Sequence, residues 1–297
     1  MSDFFHSGWS IFVAVATVGG LIACLVLLFI ASRRQVMAKD NTTGHVWDED
    51  LRELNNPLPM WWMWLFVLTV VFAGIYLALY PGLGSHAGKL GWSSSSAFAA
   101  EQAQARAEMA PVYAGFAGLT PEQLARDPKA HAIGERLFAN NCATCHGADA
   151  KGSKGFPNLT DGDWLWGGSF EDISHTITSG REGIMPPMAA AVGGSDDVRH
   201  LAHYVLSLSG GPHNPLFAQL GRSKFGVCAA CHGVGGKGNP ALGAPNLSDK
   251  VWLHGWGEDM VVGMINNGKH NVMPAHAERL TPEQIRVLAA YVWGLSK

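Results

Sequence analysis

Charge is scarce in this chain. Asp, Glu, Lys and Arg make up 15% of its 297 residues, against roughly 25% in an ordinary soluble protein. The net charge of −3 leaves no basic field of the kind that nucleic acid requires, so nucleic acid is not an expected partner. Alternation of apolar and polar residues is missing as well: beyond the first eighty residues no run alternates long enough to suggest a sheet, which leaves helices joined by Gly/Pro-rich loops. Cysteine is sparse, five residues in all.

The charge deficit has a local cause. Trp9 to Ala31 is a run of 23 residues with no charge, and Trp61 to Tyr80 is a second uncharged run that stops at Pro81. At about 1.5 Å per residue the first reaches roughly 34 Å, enough to cross a hydrocarbon core of about 30 Å. Trp9, Trp61, Trp62, Trp64, Tyr76 and Tyr80 stand near the run ends, where amphipathic rings favour the headgroup level. The first run has neither the positive head nor the small-residue cleavage site of a signal peptide. Two uncleaved spans, about 9–31 and 61–80, are therefore expected, in contact with membrane lipid. The tail before Trp9 holds no Lys or Arg, whereas the intervening loop 32–60 holds Arg33, Arg34, Lys39 and Arg52. That asymmetry makes the loop cytoplasmic and sends everything after Tyr80 outward, which in a bacterium is the periplasm across the inner membrane. Neither span carries an ionisable Asp, Glu, Lys, Arg or His, so the chain offers no intramembrane proton relay of its own. Cys24, within the first span, reads as a small apolar packing residue.

Residues 81–125 form a linker and helical segment. "PGLGSHAGKLGWSSSS" is rich in Gly and Ser, and a helix is expected from about Ala97 to Ala110. Thr120-Pro121-Glu122-Gln123 then signals a helix start, with an N-cap threonine, proline at the first position and glutamine at the third. The remainder repeats itself. Gly134 and Phe138 precede Cys142 as Gly221 and Phe225 precede Cys228. "PNL" recurs at Pro157 and Pro245, and Trp164-Leu165 at Trp252-Leu253. Gly180 with Met185-Pro186 recurs as Gly268 with Met273-Pro274, and Tyr204-Val205 as Tyr291-Val292. From "PNL" to Met-Pro the offset is a constant 88 residues. Two copies of one unit, 126–210 and 211–297, divide near Gly210-Gly211-Pro212. Gly134 and Phe138 are expected to face Tyr204, and Gly221 and Phe225 to face Tyr291, with Trp164 and Trp252 as pocket walls.

Four of the five cysteines lie in "CATCH" and "CAACH". Thiols spaced Cys-x-x-Cys can add to the two vinyl groups of a haem while the following histidine binds the iron, and this is the c-type attachment signature. Zinc needs four ligands, and pairs 86 residues apart depart from the usual spacing of about 15–20. Disulfide exchange leaves the histidines unexplained. Two covalently bound haem c groups follow, on Cys142 and Cys145 with His146, and on Cys228 and Cys231 with His232. The sixth ligand is Met185 in the first unit and Met273 in the second, by their matched Met-Pro placement after a Gly-rich turn. Met188, without a counterpart, reads as packing, and His276 is the nearby rival to Met273. His175, His200, His203, His254 and His270 read as solvated, and His45 and His86 as interfacial. Histidine–methionine ligation fills the iron and suits electron transfer in place of substrate chemistry. The fold expected is all-α: two transmembrane helices followed by two tandem class I c-type cytochrome domains.

The sequence resembles the dihaem subunit III (CcoP/FixP) of cbb3-type cytochrome c oxidase, the terminal oxidase of bacterial respiration at low oxygen. Besides the haem motifs, "TTGHVWDEDLRELNNPLPMWW" at Thr42 to Trp62, "YPGLG" at Tyr80 to Gly84 and "LGW" at Leu90 to Trp92 carry the likeness. One departure is the first span, since many members have a single anchor helix. The resemblance implies an electron relay from a donor cytochrome c to the oxidase's monohaem cytochrome c subunit and on to its haem–copper catalytic subunit. It places the O₂-reducing site outside this chain. An anchored dihaem cytochrome serving another respiratory complex, such as a periplasmic dehydrogenase, is the alternative.

Overall fold

The computed structural model describes residues 6–33, 41–54 and 58–297. The chain forms two compact units, residues 1–108 and 109–297. In the first, helix α1 (Ser7–Ser32) and helix α2 (Met60–Leu79) are the two uncharged runs. Their apolar side chains face outward: Leu27 is 66% and Phe72 68% exposed, and Leu28 is the single buried residue of the pair. A soluble core helix would hide such a surface, so both helices suit a lipid environment. The Ser85 backbone N–H donates to Ser10 Oγ at 2.7 Å, tying the chain after α2 to the start of α1, so the helices run antiparallel. Lys89 and Leu90 N–H groups donate to the Ala78 and Leu79 carbonyls at 3.0 Å. The "YPGLG" turn thereby folds back and satisfies carbonyls that the end of α2 leaves open.

Between the helices, strands β1 (Thr42–Trp47) and β2 (Leu51–Leu54) pair antiparallel around an Asp48-Glu49-Asp50 turn. Arg34 and Lys39, two of the four basic residues that set the expected orientation, lie outside the described residues. So do Asn55, Asn56 and Pro57.

Helix α3 (Ser94–Ala114) is longer than the expected 97–110 and runs through Pro111. Helix α4 (Pro121–Arg126) starts as its sequence dictates. Thr120 Oγ1 accepts from Gln123 N–H at 3.3 Å, and Gln123 Oε1 accepts from Thr120 N–H at 2.9 Å. Each repeat then supplies matching parts. The first gives α5 (Pro128–Asn141), the single turn α6 (Ala143–His146), α7 (Phe170–Ser179), strand β3 (Arg181–Met185), the short α8 (Ala189–Val192) and α9 (Ser195–Leu208). The second gives α10 (Pro215–Gly221), a 3-10 turn at Arg222–Val227, α11 (Ala229–His232), α12 (Glu258–Asn267), strand β4 (Lys269–Met273) and α13 (Pro282–Leu295).

The repeats do not close on themselves. One core joins Phe138, Ile173 and Ile177 of the first repeat to Ile285, Leu288 and Val292 of the second. The other joins Val198, Leu201 and Val205 of the first to Phe225, Val261 and Ile265 of the second. The expected helix contacts are therefore corrected. Phe138 meets Tyr291 at 5.8 Å between ring centroids, and Phe225 meets Tyr204 at 5.3 Å. A Cβ added to Gly134 would stand 2.5 Å from Tyr291 Cβ, and one added to Gly221 would collide with the His200 carbonyl. Both glycines let two helices cross closely, but each helix crosses the other repeat's closing helix.

The exchange runs through a ladder that the all-α expectation omitted. β3 and β4 pair antiparallel with Arg181 opposite Met273, Gly183 opposite Asn271 and Met185 opposite Lys269. Each strand has five residues and its partner is 88 residues away, so neither alternation nor a local turn announces it. By pairing, each strand satisfies its backbone groups and carries its chain into the other repeat.

A chain ended at Gly210 would lack α13, and with it Leu288 and Val292 beside Phe138. Burial of a large apolar side chain of this kind is worth about 2–5 kcal/mol, and several are lost at once. The first repeat alone is expected to show no cooperative thermal transition by circular dichroism. A sharp, cooperative melt of the truncated chain would contradict the exchange.

Candidate haem sites

Cys142, Cys145 and His146 occupy positions i, i+3 and i+4 of one turn, so their side chains share a face. Cys145 N–H and His146 N–H both donate to the Cys142 carbonyl, at 3.1 and 3.0 Å. Gly147, at φ +78°, ends the turn. The second motif repeats this: Cys231 and His232 N–H groups donate to the Cys228 carbonyl at 3.2 and 2.9 Å. In each site one thiol is half-buried (Cys142, Cys228), one is exposed (Cys145, Cys231), and all four are unbridged.

Both imidazoles are buried, His146 to 7% exposure and His232 to 8%. Each sets its Nδ1 3.0 Å from a proline carbonyl, Pro157 and Pro245 respectively. A carbonyl can only accept, so Nδ1 carries the proton and Nε2 is left with its lone pair, the state a metal ligand needs. The "PNL" turns that supply these carbonyls are themselves fixed. Asn158 Oδ1 accepts from Thr160 N–H and Oγ1–H at 2.9 and 2.8 Å, and Asn246 Oδ1 accepts from Ser248 N–H and Oγ–H at 3.0 and 2.7 Å. Burial lowers the pKa of His146, partly offset by the Pro157 carbonyl, and His276 lowers it further. A neutral imidazole is favoured.

The thiols separate the candidate chemistries. Burial, then the neighbouring Cys145, pushes the Cys142 thiol up to about 11, and Cys228 is raised in the same way. Disulfide exchange relies on a depressed thiol pKa, and here the shift is opposite. Among the described residues no three His, Cys, Asp or Glu side chains gather as a metal-ion site. Two thiols and an oriented imidazole on one helical face fit a covalently held porphyrin.

Met273, at the end of β4, packs against the core that contains Phe138, and so do Cys142, Ala143 and Trp164. Met185 ends β3 opposite Lys269, its carbonyl against Gly268 of the second repeat. Trp252 packs with Cys228 and Ala229 in the second core. Met188 also packs there, and it does have a counterpart. Its N–H donates to the Ile265 carbonyl at 2.8 Å, just as His276 N–H donates to Ile177 at 3.0 Å.

Of the histidines read as solvated, His175 is exposed, but His203 is not. It is buried, accepts from Asn214 N–H at 3.0 Å through Nδ1, and so donates from Nε2 to Glu258 at 3.0 Å. This network ties α9 to α12 across the repeats. His254 accepts from the Asn271 amide at 3.0 Å, and His270 reaches Glu182 at 2.7 Å. The proline carbonyls behind His146 and His232 escaped sequence reasoning, although the recurrence of "PNL" eleven and thirteen residues after them was its visible trace.

Two sites of this kind, in a chain that also carries two helices apolar and long enough for a membrane, define a membrane-anchored cytochrome c with two haem c groups. Sequence comparison narrows the class. The model of cytochrome c oxidase, cbb3-type, subunit III matches residues 129–205 and 221–292, and that of the N-terminal domain of cytochrome oxidase-cbb3, FixP, matches 39–87. The chain is 66% identical over 297 residues to the cbb3-type cytochrome c oxidase subunit CcoP of Rubrivivax gelatinosus, covering 100% of this chain and 98% of that one. It is 43% identical over 272 residues to subunit FixP of Azorhizobium caulinodans, covering 86% and 92%. With FixP of Bradyrhizobium sp. the identity is 42% over 275 residues, covering 86% and 94%. The chain belongs to the cbb3-type cytochrome c oxidase subunit III family and is an electron-transfer subunit of that oxidase.

Thioether attachment makes a simple demand. Acidified organic solvent extracts non-covalent haem, whereas here two haems per chain should stay with the polypeptide. Porphyrin in the organic phase would contradict the assignment of Cys142, Cys145, Cys228 and Cys231.

Proposed function

We propose that the two haem sites are cross-built. The haem joined to Cys142 and Cys145, with His146 as proximal ligand, takes its sixth ligand from Met273. The haem joined to Cys228 and Cys231, with His232, takes Met185. One observation carries this reading: Met273 packs against the same core as Cys142, the core that contains Phe138, although it lies eighty-eight residues beyond Met185, the methionine of the first repeat. When bound, such a group accepts and gives single electrons, and thioether ligation favours its reduced state. The protein's part would be to hold the imidazole neutral and aimed, to offer the thioether sulfur of Met273 or Met185, and to bury the site under Phe138, Trp164 and Tyr291 or their counterparts. The repeats 126–210 and 211–297 are then two tandem cytochrome modules in sequence that share their closing elements in space, behind the anchor 1–80 and the linker 81–125.

In the same reading both α1 and α2 cross the bacterial inner membrane and the haem modules lie in the periplasm. The hydrogen bond between Ser85 and Ser10 supports it, since it keeps the N-terminus and the chain after α2 at one end of the pair. Arg33 and Arg52 in the connecting segment favour the cytoplasmic side for that loop. Electrons pass from a donor cytochrome c through this chain to the monohaem subunit and the haem–copper subunit.

Met273→Ala is expected to open the iron at the Cys142/Cys145 site and to lower its potential on the order of 0.1 V, within the ~0.8 V range that axial ligands command. In a chain whose second haem is deleted by Cys228→Ala and Cys231→Ala, Met273→Ala should still change the remaining spectrum, and Met185→Ala should not. The reverse pattern would mean that each repeat supplies its own sulfur.

A further inference from the structure

His276 is 9% exposed, and its Nδ1 is wholly buried without a hydrogen-bond partner. Among the described residues no other buried side-chain nitrogen or oxygen is left in that state. An unmatched buried polar group is costly, and native proteins rarely keep one without a reason. The residue is firmly seated: its N–H donates to the Ile177 carbonyl at 3.0 Å, three positions after Met273. Ile177 belongs to the core against which Cys142 packs, which sets His276 beside the first haem motif, and its charge is felt at His146. The repeat provides a control. Met188 sits at the same place after Met185, anchored to Ile265 by the equivalent bond at 2.8 Å, and its thioether needs no partner. One site thus carries a polar group where the other carries an apolar one.

The missing partner must arrive with the cofactor. In the reading given above the iron of the first haem is filled by His146 and Met273, so the acceptors a haem brings are its two propionate carboxylates. We propose that His276 is a positioning residue of the first haem, donating a ring N–H to a propionate of the haem joined to Cys142 and Cys145. The proposal rests on haem occupancy of both motifs. A donor there neutralises part of the propionate's charge. That charge otherwise favours ferric iron, so the bond raises the potential of the first haem, whereas Met188 at the equivalent place offers the second haem no such donor. The difference between His276 and Met188 therefore sets the two haems apart electrically.

The test uses the full-length chain in detergent. His276→Met copies the second site, and His276→Gln keeps an N–H donor. Haem is counted first by pyridine haemochrome assay: fewer than two haems in the unaltered chain overturns the haem reading itself. With two haems present, His276→Met should lower one of the two potentials, by threefold to tenfold in the reduction equilibrium, where tenfold corresponds to 59 mV. It should also shift one propionate bending band in resonance Raman spectra, and His276→Gln should restore both. Unchanged potentials and propionate bands in His276→Met overturn the proposal while leaving the haem reading intact. If His276→Met fails to retain the first haem, retention by His276→Gln supports the donor role. Equal loss in both variants shows a packing role and contradicts it.

Discussion

Two helix crossings decide the rest of this structure. Gly134 lies where a Cβ would press on Tyr291, and Gly221 where one would strike the backbone at His200. Without side chains at these points α5 meets α13 and α10 meets α9 closely enough for Phe138 and Phe225 to pack on the facing tyrosines. Interiors are dense and tolerate little added volume at such points. Everything that frames a haem site follows from which helix is allowed to cross which.

That choice exchanges the second half of each repeat. Strands β3 and β4 run side by side in opposite directions, and each closing helix packs into the core beside the other repeat's motif. The two candidate sulfur ligands are then the last residues of strands in a single ladder. The Arg199–Glu258–His203 cluster adds a second tie, with Arg199 Nε donating to Glu258 at 2.7 Å and His203 at 3.0 Å. Both sites are parts of one cooperative body, which suits a relay whose two centres must hold a fixed relation. Exchange of an identical element between copies is an accessible arrangement, and here both copies belong to one chain.

Much of this was legible in the sequence, in proportion to how local the governing physics is. The uncharged runs became α1 and α2 within two residues at either end, because spanning length and apolarity are properties of the run itself. Thr120 capped its helix through Gln123, and Thr281 does the same through Gln284 at α13. The Cys-x-x-Cys-His turns needed only their spacing. The β1–β2 hairpin was less visible: its turn puts Asp48 and Glu49 at positive φ, without the Asn-Gly or Asp-Gly pair that would have marked it. The exchange was not legible at all. Gly134 with Phe138 and Gly221 with Phe225 are equivalent, as are Tyr204 and Tyr291, so either pairing satisfies the same local chemistry. A repeat announces which kinds of contact form and conceals which copy makes them. His276 was legible as a residue near Met273 but not as a buried group without a partner, since burial is a property of the assembled core.

The exchange of closing halves is the central claim, and cutting the chain tests it most directly. A protease site inserted between Gly210 and Asn214 would separate the repeats covalently while leaving their cores untouched. If each core draws on both repeats, the two fragments remain together on size-exclusion chromatography under native conditions and part only in denaturant. Two fragments that elute separately, each with an intact low-spin haem spectrum, would contradict the account.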